Sequence, residues 1–424
     1  MGAMHTQAYA AQCRAADTQL PRPAGKPPNR TLTLLALALG TFAIGTGEFG
    51  SNGIIQLFAA AFGTTVPAAT YAVTAYAFGV VIGSPLITVV AAKLNRRTLI
   101  LGLMVLFVVG NLLSATASNL TAMIAFRFIT GTVQGAYFGA GAVIATYVYG
   151  RGQGGKAFAT VMGGLTVATI VGAPLGTFIG QHAGWRSMYV VVAGIGALAL
   201  LALAVWVPRT RDLAGHDVRR EVRALGNGSV WTMSAVAALG ISSIFAVYTF
   251  IGPFVTDAAD APASLIPIAL AVFGIGMATG NAVGGRIADR FESAGLVVGY
   301  SGTLVVLVII GLSGSNTTVL LPCLFGVGAL MMLAIPTIQV RLTSFAVDAP
   351  TLMGALNLAA LNLANSIGAV GGSITISAGW GPLSTVLAGL VCTSAGLVLY
   401  VLAVPRSQPL LGSAPHAATA SPEP

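Results

Sequence analysis

Residues 32–58 read LTLLALALGTFAIGTGEFGSNGIIQLF, a long apolar stretch that contains one ionisable side chain, that of Glu48. A run of about 20 apolar residues is long enough to cross a bilayer as a helix. An acid near the centre of such a helix costs roughly 2.5–3.5 kcal/mol on insertion scales, so it is seldom kept for stability. Gly45, Gly47 and Gly50 surround it and let another backbone or a ligand approach closely. Glu48 is therefore a candidate functional residue; the alternative is that it only pairs with a basic residue to hold two helices together.

The whole chain has the composition of an integral membrane protein. Of its 424 residues, 56% are hydrophobic and 7% are charged, whereas soluble domains carry about 25% charged residues. The polar stretch 208–228 divides twelve apolar segments into six and six. The segments are predicted at 32–58, 68–91, 98–116, 121–148, 158–180, 187–207, 229–252, 264–285, 294–313, 317–340, 351–376 and 382–404.

These segments predict an all-α membrane protein with twelve transmembrane helices in two six-helix bundles. The bundles are expected at 31–207 and 229–405, joined by a cytoplasmic linker at 208–228. The ends, 1–30 and 406–424, are polar and are predicted to be disordered cytoplasmic tails. The three cysteines lie far apart with no metal-ligand spacing, so neither a disulfide nor a metal site is expected.

The distribution of Lys and Arg predicts the orientation in the membrane, because cytoplasmic loops carry an excess of both. With the N-terminus inside, 18 of the 20 basic residues fall on the cytoplasmic side, Arg186 falls outside and Arg127 lies within a segment. The 18 are Arg14, Arg22, Lys26, Arg30, Lys93, Arg96, Arg97, Arg151, Lys156, Arg209, Arg211, Arg219, Arg220, Arg223, Arg286, Arg290, Arg341 and Arg406. Topology thus explains the net charge of +9, and a nucleic-acid partner is not expected.

The two halves resemble each other in sequence. GSPLITVVAAKLNRR (83–97) and GNAVGGRIADRF (280–291) place basic residues at the same end of corresponding helices. GAPLGTFIGQHAGWR (172–186) and GAVGGSITISAGWG (368–381) are both glycine-rich and contain Ala-Gly-Trp. A parallel repeat of six spans predicts two bundles related by an axis along the membrane normal, with the substrate site between them.

These features resemble the major facilitator superfamily over residues 31–405, within it the proton-coupled efflux branch with twelve spans. Gly285, Asp289 and Arg290 are similar to the superfamily's inner-loop motif; its copy in the first half keeps Lys93, Arg96 and Arg97 but has Ala92 where the acid belongs. The remaining motif residues are Arg127, Gly131, Gln134 and Gly135 for span four and Gly164, Gly172, Pro174, Gly176 and Gly180 for the antiporter motif of span five.

Within that branch, Glu48 and Phe49, together with three asparagines of the eleventh segment, resemble the exporters of arabinose, purine nucleosides and chloramphenicol. The resemblance implies that spans one, four, seven and ten line a central cavity. It also implies that the span-five glycines contact the other half and restrict leak. Gly172, Gly176 and Gly180 share one helix face, which allows close packing, and Pro174 is expected to bend or weaken that helix.

A depth estimate connects the two charges predicted inside the membrane. At a rise of 1.5 Å per residue, Glu48 and Arg127 fall in the same layer, roughly two-thirds of the way outward. Burial disfavours the ionised carboxyl group and a nearby arginine favours it, so a site alternating between the two environments would take up and release protons. We predict that Glu48 carries the proton and that Arg127 tunes or displaces it; the alternative is a fixed ion pair.

The function expected is proton-coupled efflux of a small polar or amphiphilic molecule, with the proton gradient as energy source and no cofactor. The chain is expected to be a monomer of the inner membrane in contact with lipid, and not an enzyme, because no catalytic combination is visible. The alternatives are a facilitator or importer without proton exchange and, from another class, a sensor or scaffold. The predicted substrate-binding residues are Gln134, Tyr137, Tyr248, Gln339, Asn357 and Asn365, whereas Asn362 is expected to point elsewhere.

Overall fold

The computed structural model describes residues 29–91, 93–149, 154–209, 213, 223–288, 293–346 and 350–404. All regular elements in these ranges are helices. Twelve of them are long and apolar enough to cross a membrane, and we number them in chain order. They are α1 Arg30–Gly53, α2 Val66–Ile87, α3 Arg96–Thr116, α4 Leu120–Tyr149, α5 Ala159–Ala183, α6 Trp185–Trp206, α7 Gly228–Tyr248, α8 Ala263–Ala288, α9 Ala294–Ser313, α10 Thr317–Phe345, α11 Leu352–Ser377 and α12 Pro382–Ala403.

Each of the twelve predicted segments coincides with one of these helices, so the predicted fold class is confirmed. The boundaries differ in instructive places. The first segment was expected to run to residue 58, but α1 ends at Gly53 and a short helix, Ile55–Ala61, follows. Arg30, expected in the tail, is the first helical residue of α1. Residues 1–28, most of the predicted linker and residues 405–424 lie outside the described ranges.

Asparagine side chains begin several of the long helices. A helix leaves its first N–H groups without intrahelical partners, and a short polar side chain satisfies one of them. The Oδ1 atoms of Asn95, Asn119 and Asn227 accept hydrogen bonds from the backbone N–H groups of Arg97, Ala122 and Ser229, at 2.9, 2.8 and 3.0 Å. These caps start α3, α4 and α7 where the hydrophobic runs begin.

Two hydrophobic clusters form the interior. One is built from residues between Leu34 and Leu213, and the other mainly from residues between Val230 and Val404. Two side chains of the first half, Phe49 and Ala173, belong to the cluster of the second half. We call the helices α1–α6 the first half and α7–α12 the second half. Phe49 therefore crosses from one half into the apolar core of the other.

The two ends of the bundle are distinguished by the position of the linker. The hydroxyl of Thr33, near the start of α1, donates a 2.8 Å hydrogen bond to the carbonyl of Trp206 at the end of α6. We call this end, where the linker leaves α6 and enters α7, the linker side, and the opposite end the far side. Arg97 also lies on the linker side and donates to the carbonyls of Ala204 and Val207, at 2.6 and 2.9 Å.

Hydrogen bonds join the two halves on the far side. The Nε2 of Gln56 donates to the Thr256 hydroxyl at 2.9 Å, and the hydroxyls of Thr70 and Ser373 share a 2.6 Å hydrogen bond. A third bond, of 2.8 Å, runs from Gln181 to the Ala263 carbonyl. The far side of the interface between the halves is closed in this conformation.

One of the 18 basic residues, Arg341, was expected just outside a membrane segment, but the structure places it inside a helix. Arg341 was assigned to a linker-side loop, but α10 continues to Phe345, beyond the predicted end at residue 340. The Arg341 side chain lies within the helix, only 2% exposed, with its guanidinium 5.4 Å from the Phe345 ring centroid. Hydropathy alone ended the segment too early because it reads a charged residue as a boundary.

Candidate transport site

Glu48 lies on a part of α1 that is buried on every side. Every residue from Ala43 to Gly53 is buried, and the Glu48 side chain is 4% exposed. Its Oε2 accepts a 2.9 Å hydrogen bond from the Nε2 of Gln134 on α4. The sequence placed both residues in the candidate site, and the structure brings them into contact.

A cavity of about 170 Å³ lies between the two halves at this position. Its first-half wall consists of Glu48, Phe49, Gln134, Met162, Leu165, Thr166 and Thr169. Its second-half wall consists of Ile241, Phe245, Met277, Ala278, Asn281, Met332, Ile335, Leu358, Leu361 and Asn362. Helices α1, α4, α7 and α10 all contribute, as the family resemblance implied, and so do α5, α8 and α11.

The cavity is mostly apolar, with few polar groups. Among the described residues that line it, Glu48 is the one that carries an ionisable side chain. Three amides accompany it: Gln134 and Asn362, which are 2% and 3% exposed, and Asn281, which is exposed. A wall of methionine, leucine, isoleucine and phenylalanine with a few placed polar groups is typical of a small-molecule site.

Arg127 lies close to Glu48 without contacting it. Its guanidinium is 1% exposed and stacks over the ring of Tyr76, 4.3 Å from the centroid, and 5.6 Å from that of Tyr189. Within the described part of the chain, its Nε, Nη1 and Nη2 have no hydrogen-bond partner. The charges interact electrostatically, but the alternative of a fixed ion pair does not describe this conformation.

Two predicted tyrosines lie outside the cavity lining. The Tyr137 hydroxyl turns back into the first half and donates a 3.2 Å hydrogen bond to the Leu37 carbonyl. The Tyr248 ring packs edge-on against Phe49 and Phe273, with centroid distances of 5.7 and 5.0 Å. The hydrogen bond of Tyr137 thus connects α4 to α1, and the Tyr248 ring packs against Phe49 within the second half.

The structure also corrects the predicted face of α11. Asn357 donates a 2.8 Å hydrogen bond to the Oε1 of Gln339, and neither residue lines the cavity. Asn365 is 1% exposed and likewise does not line it, whereas Asn362, which was expected to point elsewhere, does. Helix periodicity groups the residues of α11 into faces correctly, but it does not say which face meets the first half.

The glycines of α5 pack against α1 of the same half. A Cβ at Gly172 would collide with the Thr46 side chain, and one at Gly180 would come within 2.5 Å of Ile54 Cγ2. A Cβ at Gly176 would lie 3.8 Å from the Cα of Gly50. The predicted close packing is present, but its partner is α1. Contacts of α5 with the other half include the Thr169 backbone, which meets Gly274 of α8, and the Gln181 side chain, which bonds the Ala263 carbonyl.

Pro174 follows an irregular turn, as its chemistry predicts. A proline lacks the N–H that would donate to the preceding turn, so the helix ahead of it is disturbed. Residues Ala168–Gly172 form a π-helical turn just before it. Of the inner-loop motif, Gly285 has open space around it, while Asp289 and Arg290 lie outside the described residues.

Comparison with known proteins places this architecture in a family. Residues 37–372 match the sequence profile of the Major Facilitator Superfamily. The inner membrane transport protein YdhP of Escherichia coli (strain K12) is 32% identical over 376 residues, covering 89% of this chain and 96% of that protein. The chloramphenicol resistance protein of Streptomyces lividans is 30% identical over 374 residues, covering 87% and 95%.

Two further comparisons agree with this placement. The putative transporter AraJ of Escherichia coli (strain K12) is 29% identical over 348 residues, covering 82% of this chain and 88% of that protein. The crystal structure of a bacterial homologue of the human lysosomal transporter Spinster, in an inward-facing and unoccupied conformation, matches with a TM-score of 0.60. It is 16% identical and covers 90% of this chain and 96% of that one, so it supports the fold.

Proposed function

Since the chain belongs to the Major Facilitator Superfamily, we propose that it exports a small polar or amphiphilic molecule in exchange for protons, by alternating access. The observation that carries this proposal is the position of Glu48. Among the described residues, it supplies the one ionisable side chain in a cavity that both halves line. An acid inside a membrane protein, facing a cavity rather than lipid, marks an ion or substrate pathway.

The hydrogen bond from Gln134 supports a carboxyl group that changes its protonation state. A neutral amide can donate to the ionised carboxylate and, after reorientation, accept from the protonated form. A direct arginine ion pair would instead favour the ionised form alone. With Arg127 nearby but not in contact, Glu48 is able to release its proton when a substrate enters from one side and to regain it from the other.

The orientation of the cavity fits export when the linker side is cytoplasmic. The positive-inside rule assigns the linker side, with both termini, to the cytoplasm. Hydrogen bonds between described residues of the two halves close the far side, and such a conformation would load substrate from the cytoplasm. The similarity to a chloramphenicol resistance protein favours export of a drug-like molecule, and the similarity to an inner membrane protein favours the same location here. We propose that the monomer is the functional unit, because each chain supplies both walls of the cavity.

The proton gradient is large enough to sustain such export. One proton moving down 100 mV and one pH unit releases about 3.7 kcal/mol. At 1.4 kcal/mol for each factor of ten, that energy supports a substrate gradient on the order of several hundred-fold. A single exchanged proton therefore suffices for a neutral substrate, whereas for a substrate with one positive charge the membrane potential cancels and one proton supports about a tenfold gradient from the pH difference.

The test replaces the carboxyl group by an amide of the same shape. A strain that overproduces the chain is screened for growth against antibiotics, sugars and nucleosides, and the compound tolerated best is followed in proteoliposomes with an imposed pH gradient. Glu48→Gln is expected to abolish gradient-driven transport, while counterflow, which needs no net proton movement, continues at a substrate concentration high enough to compensate for weaker binding. Asp260→Asn makes the same chemical change at an exposed far-side turn and is expected to transport normally.

Two results would contradict the proposal. Unchanged gradient-driven transport by Glu48→Gln would remove the carboxyl group from the coupling. Net transport of the compound by the unaltered protein with no accompanying proton movement would identify a facilitator of the same fold.

A further inference from the structure

Two buried amides line the cavity, and the polar atoms that they leave without partners are hydrogen-bond acceptors. The Nε2 of Gln134 donates to the Glu48 carboxylate at 2.9 Å, and the Nδ2 of Asn362 donates to the Leu358 carbonyl at 3.0 Å. The Oε1 of Gln134 and the Oδ1 of Asn362 are buried, and within the described part of the chain neither has a partner. In each amide, the nitrogen donates a hydrogen bond and the oxygen accepts none.

Chemistry fixes this orientation of both amides. The nitrogen and oxygen of an amide are assigned from their partners, and a backbone carbonyl is always an acceptor. The nitrogen of Asn362 must therefore face Leu358, and the nitrogen of Gln134 must face Glu48 whenever that carboxyl group is ionised. The oxygens are then the atoms left for a ligand.

The two amides come from opposite halves. Gln134 lies on α4, and Asn362 lies on α11. Leu358, one turn before Asn362, comes within 3.4 Å of a Cβ built at Gly135, the neighbour of Gln134. A ligand that bonds both oxygens would therefore connect the halves.

The remaining polar groups of the lining do not reverse this pattern. The hydroxyls of Thr166 and Thr169 donate to backbone carbonyls of their own helix, and Asn281 lies exposed at the edge of the cavity. Glu48 adds two more acceptor oxygens when it is ionised. A buried acceptor left without a donor is costly, so the site gains most from a molecule that supplies several N–H groups.

We propose that this cavity selects an apolar, preferably aromatic, molecule that carries a protonated amine or amidine with at least two N–H donors. The inference rests on the proposed function, because it names the substrate class of the same site. The methionine and leucine wall holds the apolar body, Glu48 attracts the positive charge, and the oxygens of Gln134 and Asn362 bind the N–H groups. Sugars fit poorly, because most of their hydroxyl groups would lose water and gain no partner.

The test uses four ligands that share one apolar body. These are 4-phenylbutylamine, its N,N,N-trimethyl derivative, 4-phenylbutan-1-ol and 4-phenylbutanoate. The amine has charge and donors, the trimethyl compound has charge alone, the alcohol has one donor, and the acid has the wrong charge. Binding to the full-length protein in detergent is measured calorimetrically at constant pH without a gradient. The amine is expected to bind at least about tenfold tighter than each of the others, as one charge-assisted hydrogen bond implies.

A pair of matched variants assigns the preference to the cavity. Asn362→Leu is expected to weaken amine binding about tenfold and to leave binding of the trimethyl compound unchanged. Asn111→Leu is the control: Asn111 on α3 is also buried, donates to a carbonyl one turn earlier and has an unpartnered Oδ1, but lies away from the cavity. If Asn362→Leu does not fold, Asn362→Asp is used, and the amine's advantage over the alcohol is expected to increase.

The outcomes separate this inference from proton coupling. Equal binding of the amine and its trimethyl derivative, equal losses in Asn362→Leu and Asn111→Leu, or an unchanged amine preference in Asn362→Asp would overturn it. Because no gradient is present, these results do not depend on whether Glu48 drives transport. A preference for the amine in a protein whose Glu48→Gln variant still couples to protons would uphold the inference and reject the proposed function.

Discussion

At the scale of single residues, the site depends on which partner holds each buried polar group. Glu48 is held by a neutral amide, and the nearby arginine stacks on tyrosine rings instead of forming an ion pair. A buried charge without a hydrogen-bonded partner is costly, and here stacking on the tyrosine rings offsets part of that cost. The arrangement leaves Arg127 free to act on Glu48 through its electric field.

Removal of the buried arginine is expected to affect proton coupling more than stability. Arg127→Met is expected to change the free energy of unfolding by less than about 1 kcal/mol, because the lost stacking on the tyrosine rings and the removal of a buried charge offset each other. It is expected to reduce gradient-driven transport at least about tenfold, because Glu48 loses the field of the guanidinium. The melting temperature in detergent and transport in proteoliposomes measure the two effects.

Arg97 provides the contrasting control. Its guanidinium donates to two carbonyls at the end of α6, so Arg97→Met is expected to cost about 1–3 kcal/mol. A loss of 3–5 kcal/mol in Arg127→Met, as for a broken buried ion pair, would show that Arg127 has a structural role instead.

The residues of the site were predictable where their chemistry or the span-four motif singled them out, as for Glu48 and Gln134. An acid in a membrane helix is costly wherever it points, so the sequence identified Glu48 without knowing its neighbours. The amides of α11 carry no such cost, because each of them can bond a neighbouring helix. To predict that Asn362 lines the cavity, and that Asn357 and Asn365 do not, one must know how α11 is oriented about its own axis. Packing between the halves determines that orientation.

At the scale of helices, the contact between α1 and α5 positions the acid. Small residues let two helices approach until their backbones touch. Gly164 of α5 lies against the backbone carbonyl of Ala38 on α1, with no room for a side chain. Gly163, its neighbour, has open space around it. The two adjacent glycines of one helix thus differ only in what they face.

We predict opposite effects for the same substitution at these neighbours. Gly164→Ala is expected to lower the free energy of unfolding by about 1–3 kcal/mol, because the new methyl group meets backbone that cannot rotate away. Gly163→Ala is expected to be neutral or to stabilise by up to about 1 kcal/mol, because alanine favours the helix. Melting temperatures and purified yields of the two variants provide the comparison. A stable Gly164→Ala would show that α1 and α5 are less closely packed than described.

The helices themselves were largely predictable, since hydropathy and the need to satisfy every backbone group in lipid leave few alternatives. The partner of the α5 glycines was not. Their common face is visible in the sequence, but a ladder of small residues fits any neighbouring helix. The irregular turn at Ala168–Gly172 was predictable in part. Pro174 indicates that the helix is disturbed there, but the π-helical form of the turn depends on packing.

At the scale of the whole molecule, hydrogen bonds and an aromatic contact join the halves on the far side. Phe49 inserts into the second-half cluster beside Tyr248, next to the acid that lines the cavity. Opening the far side requires this ring and the hydrogen bonds of Gln56, Thr70 and Gln181 to separate. Because Glu48 and Phe49 are consecutive on α1, the proposed proton exchange at the acid would take place next to the contact that must open.

If alternating access is the mechanism, locking the far side must stop transport. The hydroxyls of Thr70 and Ser373 are 2.6 Å apart across the interface, close enough for a disulfide once both residues are cysteine. In a background lacking Cys13, Cys323 and Cys392, the Thr70→Cys, Ser373→Cys double variant is expected to lose transport on oxidation. A reductant is expected to restore it, whereas neither single variant should respond. Substrate binding in detergent should survive the cross-link, because the cavity lies toward the linker side of the lock. Transport that continues at full rate in the cross-linked protein would mean that the two halves do not separate there, and the path through the molecule would have to lie elsewhere.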